Sequence, residues 1–361
     1  MKFIYPFAKM PAKKNLLKQV NKAGEKLYRK FTTLDVKKLP ISDYNKRYLN
    51  DYMKTPEAII QRYAYILAWA LSDMSDSLED AVFLDYGGGS GVLSLLAKEL
   101  PLKSVIYNDI YEISGNDARI VGQALGNEAD GYVIGGVDAV LDFVRDRDIS
   151  IHAVGSYDVI EHIYDIEDFL KKLPEFSKES LTIFLSSGAN MFNQRIVKVT
   201  VKKQIQAEYE GQKKTFGTKK RDCTRPYLAV REEMIRDYRP SLSDKEVAEF
   251  AAATRGLIEP DVRKQVDRYV ENGEAPQPPD HPTNTCDPYT GNWMEHFMNP
   301  YQLQKTLTGA GIDTRVAWGY YGRSPSKIKR ALSIPLNIAI RFIPRLNRHL
   351  SPFYSLYGKK R

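Results

Sequence analysis

The sequence of 361 residues is long enough for one elaborated domain or two smaller ones. Its content of 43% hydrophobic and 27% charged residues is ordinary for a soluble globular protein. The longest apolar run, "AYILAWAL", is far shorter than the ~20 residues that span a bilayer, which excludes an integral membrane protein. Two cysteines, Cys223 and Cys286, cannot form a disulfide framework and have no metal-ligand spacing, so we predict no metal site and a reduced, cytoplasmic setting.

The net charge of +8 conceals a strong asymmetry along the chain. Residues 1–39 contain 11 Lys/Arg and 2 acids, and residues 314–361 contain 11 Lys/Arg and no acid. The residues between them, 40–313, contain 31 basic and 43 acidic side chains. The basic ends are either solvated segments or surfaces for an anionic partner, such as a membrane, an anionic substrate or a nucleic acid.

Residues 1–78 are predicted to form a helical N-terminal extension. In "DYNKRYLNDY" the tyrosines Tyr44, Tyr48 and Tyr52 are four residues apart, which places them on one helix face. Such a face packs on the core or contacts a ligand, and Tyr48 is a candidate substrate contact. The next helix is predicted to begin at Thr55, as N-cap, and Pro56.

Residues 79–187 alternate between strand-like and helix-like segments. Predicted strands cover residues 81–85, 104–109, 131–135, 150–156 and 181–187, and a helical pattern follows each of the first four. This rhythm predicts an open parallel sheet with a ligand at the carboxyl edge of its strands.

Residues 188–294 interrupt this pattern with an insertion that we predict to be mostly helical and to determine substrate specificity. It contains the lysine-rich "QKKTFGTKKR" and two clear helices, over 243–257 and 259–273, the first with a capping box from Ser243 and Glu246. Residues 295–361 are predicted to complete the sheet, with a helix that begins at Asn299 and Pro300, a strand from residue 313, broken helices, and a final strand in "PFYSLYGKK".

The most informative stretch is "FLDYGGGSG". A dinucleotide-binding G-x-G-x-x-G turn is excluded, because the third glycine would fall at Val92 or Ser94. A P-loop is excluded because no Gly-Lys-Ser/Thr follows. The pattern present is D-x-G-x-G-x-G with one extra glycine, and its residues are Asp85, Gly87, Gly88, Gly89 and Gly91.

This turn resembles motif I of the class I S-adenosylmethionine (SAM)-dependent methyltransferases, of the small-molecule or glycan type. The resemblance covers about half of the chain, from Val82 to about Ser187 and again from about His296. It implies a Rossmann-like, open, mostly parallel seven-stranded α/β sheet with helices on both faces, here with a helical insertion, and SAM as the cofactor.

The resemblance extends to three further motifs. In "VIYNDI", Asp109 ends the second strand, where the family's acid takes both ribose hydroxyls of SAM. In "GGVDAV", Asp138 matches the residue that meets the adenine amine. "GSYDVIEH" is similar to the family's pattern after strand 4 and implies that Tyr157 and Asp158 border the cofactor.

The residue types suit this ligand chemically. Glycines let the backbone approach the cofactor without Cβ clashes and adopt positive φ. The helix start at Gly91 offers free N–H groups to the methionine carboxylate, and the Asp109 carboxylate can accept two hydrogen bonds from a vicinal diol.

A hydroxyl acceptor would also require a general base. His162, in "VIEHI", and His296, after the insertion, are the candidates; His162 could equally be a structural element beside the site. Trp293, near the end of the insertion, is a candidate for contact with the face of a sugar, although the same residue suits loop packing.

The predicted reaction is methyl transfer from SAM to a hydroxyl of a sugar, polysaccharide or other secondary metabolite. The segment "SYDVIEH" lacks the proline pair of amino-methylating DNA enzymes, and no cysteine is near strand 4, which disfavours cytosine-C5 chemistry.

One alternative is a lipid-linked acceptor at a membrane surface, where we expect Pro335 and Pro344 to break any long amphipathic helix. Another is a nucleic-acid-binding or RNA-modifying protein, but no aromatic-interleaved RNA motif supports it.

Overall fold

The computed structural model describes residues 3–4, 10–211, 223–277 and 281–360. The lysine-rich stretch at residues 212–221 lies outside the described residues. None of the helices in these ranges is both long and apolar enough to cross a membrane.

One seven-stranded sheet organises the fold, with the strand order β3-β2-β1-β4-β5-β7-β6. The pairs among the first five strands are parallel, and β7 runs antiparallel to both β5 and β6. This confirms the predicted open, mostly parallel seven-stranded sheet. The strands are β1 (Val82–Tyr86), β2 (Ser104–Asp109), β3 (Gly131–Ile134), β4 (Ala153–Tyr157), β5 (Leu181–Ser187), β6 (Asp313–Trp318) and β7 (Tyr354–Lys360).

Helices flank and connect these strands. In chain order within the described residues they are α1 (Lys14–Thr33), α2 (Asp43–Lys54), α3 (Pro56–Ala70), α4 (Val92–Ala97), α5 (Glu112–Leu125), α6 (Val137–Asp146), α7 (Ile166–Lys172), α8 (Gln194–Ile205), α9 (Tyr227–Tyr238), α10 (Asp244–Ala253), α11 (Glu259–Asn272), α12 (Pro300–Gly309), α13 (Lys327–Phe342) and α14 (Pro344–Leu350).

The chain divides into two compact units. The sheet unit comprises Met1–Ile160, Glu167–Ser187 and Asn299–Arg361, and the helical unit comprises Glu161–Ile166 and Gly188–Met298. The N-terminal helices therefore belong to the same unit as the sheet. The four-part division of roles predicted from the sequence stays a prediction.

Helix α3 supplies much of the aromatic core of the sheet unit. Its Trp69 ring stacks on Phe184 of β5, with centroids 5.0 Å apart, and meets Tyr357 of β7 edge-on at 4.9 Å. Tyr65, one turn earlier on α3, also contacts Phe184 edge-on, at 5.4 Å. Burying such large rings against the sheet explains why "AYILAWAL" is apolar although it does not span a membrane.

Within the described residues, the helical unit contains two α-helices beyond those predicted. The sequence of α8 is rich in lysine and β-branched residues, which hides its helical period, but Asn193 caps its start by accepting the N–H groups of Arg195 and Ile196. Helix α9 begins directly after Pro226. The predicted helices in this unit are present as α10 and α11, and the Ser243–Glu246 capping box of α10 is confirmed.

One expectation about the C-terminal helices is wrong. Helix α13 continues through Pro335 rather than breaking there. A proline inside a helix removes one backbone hydrogen bond, so the sequence predicts a break that the fold does not show. Asn337 is buried and pairs with the backbone of Tyr321, accepting its N–H at 2.8 Å and donating to its carbonyl at 2.9 Å. The helix ends just before Pro344, as expected.

Candidate functional site

The glycine turn after β1 has the backbone geometry that its sequence predicts. Gly87, Gly89 and Gly91 have φ values of 71°, 54° and 79°, a region that favours glycine. The N–H of Gly88 donates to the carbonyl of Asn108 at 2.8 Å, which fixes the turn to the end of β2. The turn is therefore held at the carboxyl edge of two adjacent parallel strands.

The turn is tightly packed on one side and open on the other. A Cβ atom on Gly88 would lie 2.5 Å from the Tyr107 ring and 2.8 Å from Oδ2 of Asp85. A Cβ atom on Gly89 would meet no atom within 4 Å. The Gly89 backbone therefore borders open space that a ligand can approach closely.

Asp109 lies directly beside this open side. It is the last residue of β2 and is buried. Its Oδ2 accepts the Gly89 N–H at 3.0 Å, and its Oδ1 accepts the Tyr111 N–H at 2.9 Å. Each carboxylate oxygen has a second lone pair, so the oriented group can accept further hydrogen bonds from a ligand diol.

Asp85, near the end of β1, stabilises the turn through hydrogen bonds to Ser94. Its Oδ2 accepts the Ser94 N–H at 2.9 Å and the Ser94 hydroxyl at 2.7 Å. Burial raises the pKa of Asp85 to about 7; the Ser94 hydrogen bonds oppose the shift, and the nearby charge of Asp109 adds to it. Asp85 thus joins the turn to the first turn of α4.

Tyr157 is the last residue of β4, and Asp158 follows it directly. The Asp158 N–H donates to the Ser186 carbonyl at 2.9 Å, and its φ is 52°. The Tyr157 ring meets Tyr63 of α3 edge-on at 6.3 Å, and the Arg62 guanidinium lies 4.5 Å from its centroid. Burial alone would lower the pKa of Arg62, but Tyr157 and Asp158 raise it above its usual value, so Arg62 stays cationic.

Sequence reasoning missed Arg62 and Tyr63. The signal that could have found them is a polar group in the middle of a mostly apolar helix. Burial raises the pKa of Tyr63 well above its usual value, and Tyr52 of α2 adds to that effect. Two helices upstream of the glycine turn thus place tyrosines near the carboxyl end of β4.

The tyrosine face of α2 also lies close to Asp109. Burial raises the pKa of Tyr44, and Tyr48, Tyr111 and Asp109 raise it further. The hydroxyls of Tyr44 and Tyr48 are 3.5 Å apart, and the Arg47 guanidinium is 4.6 Å from the Tyr48 centroid. Tyr48 is 36% exposed, so its ring is accessible for the substrate contact predicted from the sequence.

Asp138 is in the first turn of α6, as predicted. Its carboxylate pairs with Lys172 at 2.8 Å, and the same ammonium pairs with Asp168 at 2.6 Å. The Asp138 side chain is 71% exposed. The contact with adenine stays a prediction, since the observed partner of this carboxylate is a lysine.

In the helical unit, His162 has a defined tautomer. Its Nδ1 lies 2.8 Å from the carbonyl oxygen of Trp293. A carbonyl can only accept, so in the neutral ring Nδ1 carries the proton and Nε2 has the lone pair. This is the tautomer of a histidine that can accept a proton through Nε2.

Trp293 and His296 pack on each other in the same unit. Their rings stack with centroids 3.9 Å apart, and the indole N–H donates to the Tyr164 carbonyl at 3.2 Å. Within the described residues the buried Nδ1 of His296 has no hydrogen-bond partner. Burial lowers the pKa of His296 to about 4, and His281 adds to that effect, so the ring is neutral at pH 7. These contacts favour a packing role for Trp293 over the predicted contact with a sugar.

No protein-family model and no curated protein matches the chain. Among solved structures, a SAM-dependent methyltransferase from Mesorhizobium loti is similar over 81% of this chain and 96% of its own, at 11% identity and a TM-score of 0.38. One from Archaeoglobus fulgidus is similar over 87% and 99%, at 14% identity and a TM-score of 0.37. Magnesium protoporphyrin IX methyltransferase from Synechocystis, solved with bound SAM, is similar over 38% and 62%, at 18% identity and a TM-score of 0.29. Identities this low do not transfer residue roles between chains.

Proposed function

We propose that this protein is a class I SAM-dependent methyltransferase. The observation that carries the proposal is the Asp109 carboxylate, which the N–H groups of Gly89 and Tyr111 hold beside the open side of the glycine turn. An oriented acid next to a backbone that a ligand can approach closely fits a nucleoside with a vicinal diol. The resemblance of "FLDYGGGSG" and "VIYNDI" to the family motifs supports the same ligand.

The residues of the sheet unit would hold SAM in distinct ways. Asp109 would accept the ribose hydroxyls, and Gly87 to Gly91 would border the rest of the ligand without Cβ obstruction. Asp85 would keep the turn in shape through Ser94. Tyr157 and Asp158 would border the cofactor. When bound, SAM supplies an activated methyl group on a sulfonium.

For the acceptor, we propose a hydroxyl of a sugar, polysaccharide or other secondary metabolite. Methyl transfer to a hydroxyl requires in-line positioning of donor and acceptor and removal of one proton. His162 is the better base of the two candidates, because its hydrogen bond to Trp293 leaves the Nε2 lone pair available. His296 is a weak base, since its pKa is about 4. Trp293 would act as a positioning residue through its carbonyl.

Calorimetric titration with S-adenosylhomocysteine tests the proposal directly. We expect binding in the micromolar range, and we expect Asp109→Ala to weaken it about a hundredfold, since two charge-assisted hydrogen bonds are lost. Asp142→Ala is the matched control, because Asp142 is an exposed carboxylate on α6. Thermal melts would verify that both variants are folded. Absence of binding by the intact protein would contradict SAM as the cofactor.

A further inference from the structure

The helices α13 and α14 present an unusually exposed apolar surface. Ile328, Leu332 and Phe342 are 75%, 60% and 65% exposed, and in α13 only Asn337 and Ile340 are buried. Single exposed apolar residues are common on proteins, but a group of them on one helix marks an interaction surface. The exposed large apolar side chains of this surface are Ile328, Leu332, Ile334, Ile338, Phe342, Ile343 and Leu346.

The apolar residues of α13 share one side of the helix. Two rows of apolar residues run along α13, each with a spacing of three or four residues. One row contains positions 331, 334, 338 and 342, and the neighbouring row contains positions 328, 332 and 335. Asn337 and Ile340 are on the opposite side, where Asn337 pairs with the backbone of Tyr321. The helix is therefore attached by one side and exposes a continuous apolar stripe on the other.

Cations flank this stripe. Arg330 and Arg341 are on one flank of α13 and Lys329 is on the other, while Lys327 is at the N-terminal end of the stripe. Helix α14 adds two more arginines, Arg345 and Arg348. Residues 314–361 contain no Asp or Glu. An apolar stripe between cations is the pattern of a helix that lies in the interface of an anionic bilayer.

The two helices leave the sheet at the edge that carries the glycine turn. Trp318, the last residue of β6, pairs with Tyr354, the first residue of β7, and Tyr354 pairs with Ser187, the last residue of β5. Because β5 is parallel to β4 and β1, this is the edge where β1 and β2 also end, at the turn and Asp109.

We propose that α13 and α14 dock the sheet unit on an anionic lipid bilayer. The apolar stripe would enter the interface while the flanking cations contact lipid phosphates. A second copy of the chain fits less well, because an isologous contact would bring two cationic flanks together without any acid from this segment. Nucleic acid fits less well because its phosphates would face the apolar stripe.

Docking in this way would bring the edge with the glycine turn toward the lipid surface. With the turn at the lipid surface, the methyl acceptor would be a hydroxyl on a lipid-linked molecule. This choice of acceptor rests on the proposed function. The docking itself does not depend on SAM binding.

The test is co-sedimentation of the full chain with vesicles. We expect binding to phosphatidylcholine vesicles that contain about 30 mol% phosphatidylglycerol, much weaker binding to phosphatidylcholine alone, and a marked loss in about 0.5 M salt. Absence of binding to the anionic vesicles at low salt would overturn the proposal, and so would equal binding to both vesicle types.

Two double variants with matched controls locate the surface. Ile328→Asp/Phe342→Asp and Lys327→Glu/Lys329→Glu should each reduce the partition coefficient at least about tenfold. The controls are Val199→Asp/Val270→Asp, at two sites that are each 53% exposed, and Lys18→Glu/Lys22→Glu, on exposed lysines of α1. Equal losses in the controls would overturn the assignment to α13.

Two further measurements separate the remaining outcomes. Light scattering that shows a dimer, dissociated by the Ile328/Phe342 variant, would assign the surface to a second copy and overturn membrane docking. Titration of the same variants with S-adenosylhomocysteine reports on the proposed function separately, because the substituted side chains are not among those assigned to SAM. The experiments can therefore show loss of docking with SAM binding retained, or loss of SAM binding with docking retained.

Discussion

The Nδ1 atom of His162 lies 2.8 Å from the carbonyl oxygen of Trp293, a residue 131 positions later in the chain. In the neutral ring this contact assigns the imidazole proton to Nδ1 and leaves Nε2 as an acceptor. The carbonyl is itself held in place, since the Trp293 ring stacks on His296 and donates to Tyr164. The helical unit thus orients one histidine in the form that a general base requires.

We expect His162→Asn to abolish base function while keeping the contact with Trp293, because the Asn amide can donate to the same carbonyl. With labelled SAM and an acceptor that the wild-type protein methylates, kcat should fall about 10²–10⁴-fold. The affinity for S-adenosylhomocysteine should change less than about twofold. His152→Asn is the control, since His152 accepts the Val82 N–H and is not a candidate base. A kcat close to wild type in His162→Asn would exclude His162 as the base.

The glycine turn allows stability and ligand binding to be separated. Gly89→Ala adds a methyl group to open space at a positive φ, so it should cost only about 1 kcal/mol of stability and yet prevent close approach of the cofactor. Gly88→Ala would collide with Tyr107 and Asp85 and should lower the melting temperature much more. Melting curves and S-adenosylhomocysteine titration of both variants would test this. Unchanged ligand affinity in Gly89→Ala would show that the cofactor does not approach this face of the turn.

Local sequence patterns predicted the elements of the sheet unit well. The bounds of β2 and β5 agree with the predicted strands because short apolar runs are local signals. The glycine turn and Asp109 were also predictable, since a buried parallel strand must end at the ligand edge of the sheet. The continuation of α13 through Pro335 was not, because the local signal of a proline is to end a helix. The pairing of Asn337 with Tyr321, in another segment, has no local signal either.

The remaining side chains near the turn come from non-local packing. Arg62 and Tyr63 lie in α3, the helix before β1 and the turn, and they reach Tyr157 only because α3 packs on the sheet. The orientation of His162 depends on a backbone carbonyl, and a carbonyl has no residue-type signal. Histidine and tyrosine positions are therefore visible in the sequence, but their partners are visible only in the fold.

The raised pKa of Asp85 predicts a specific pH dependence of stability. The native state holds a proton at Asp85 up to a pKa of about 7, whereas the unfolded state releases it near 3.8. The stabilisation from this group is therefore fully present below pH ~4 and is lost as the pH rises through ~7. Asp85→Asn removes the ionisation. As the pH rises from 5 to 8, its free energy of unfolding should therefore increase by about 2–3 kcal/mol relative to that of wild type.

Urea unfolding of wild type and Asp85→Asn at several pH values would measure this difference, with Asp142→Asn as a control on an exposed carboxylate. If the two unfolding curves shift in parallel with pH, Asp85 is ionised in the native state throughout this range, and the stated role of burial is wrong.

The helical unit contains a fully buried ion pair whose removal should be costly. The Arg231 guanidinium pairs with Glu208 and its Nε donates to the Ala251 carbonyl at 2.9 Å, while the Thr285 hydroxyl donates to Glu208 at 2.7 Å. Arg231→Leu would leave the Glu208 carboxylate buried with one neutral donor. We expect a loss of about 3–5 kcal/mol in the free energy of unfolding.

The exposed pair Arg225–Glu233, at 2.7 Å in the same unit, provides the matched control, because solvent screens it. Arg225→Leu should cost less than about 1 kcal/mol. The double variant Arg231→Leu/Glu208→Leu should recover part of the loss of the single variant, since no unpaired charge remains buried, although the Thr285 hydroxyl loses its acceptor. Urea unfolding of wild type and these three variants completes the comparison. If Arg231→Leu costs no more than Arg225→Leu, solvent or another cation reaches Glu208, and the pair does not stabilise this unit.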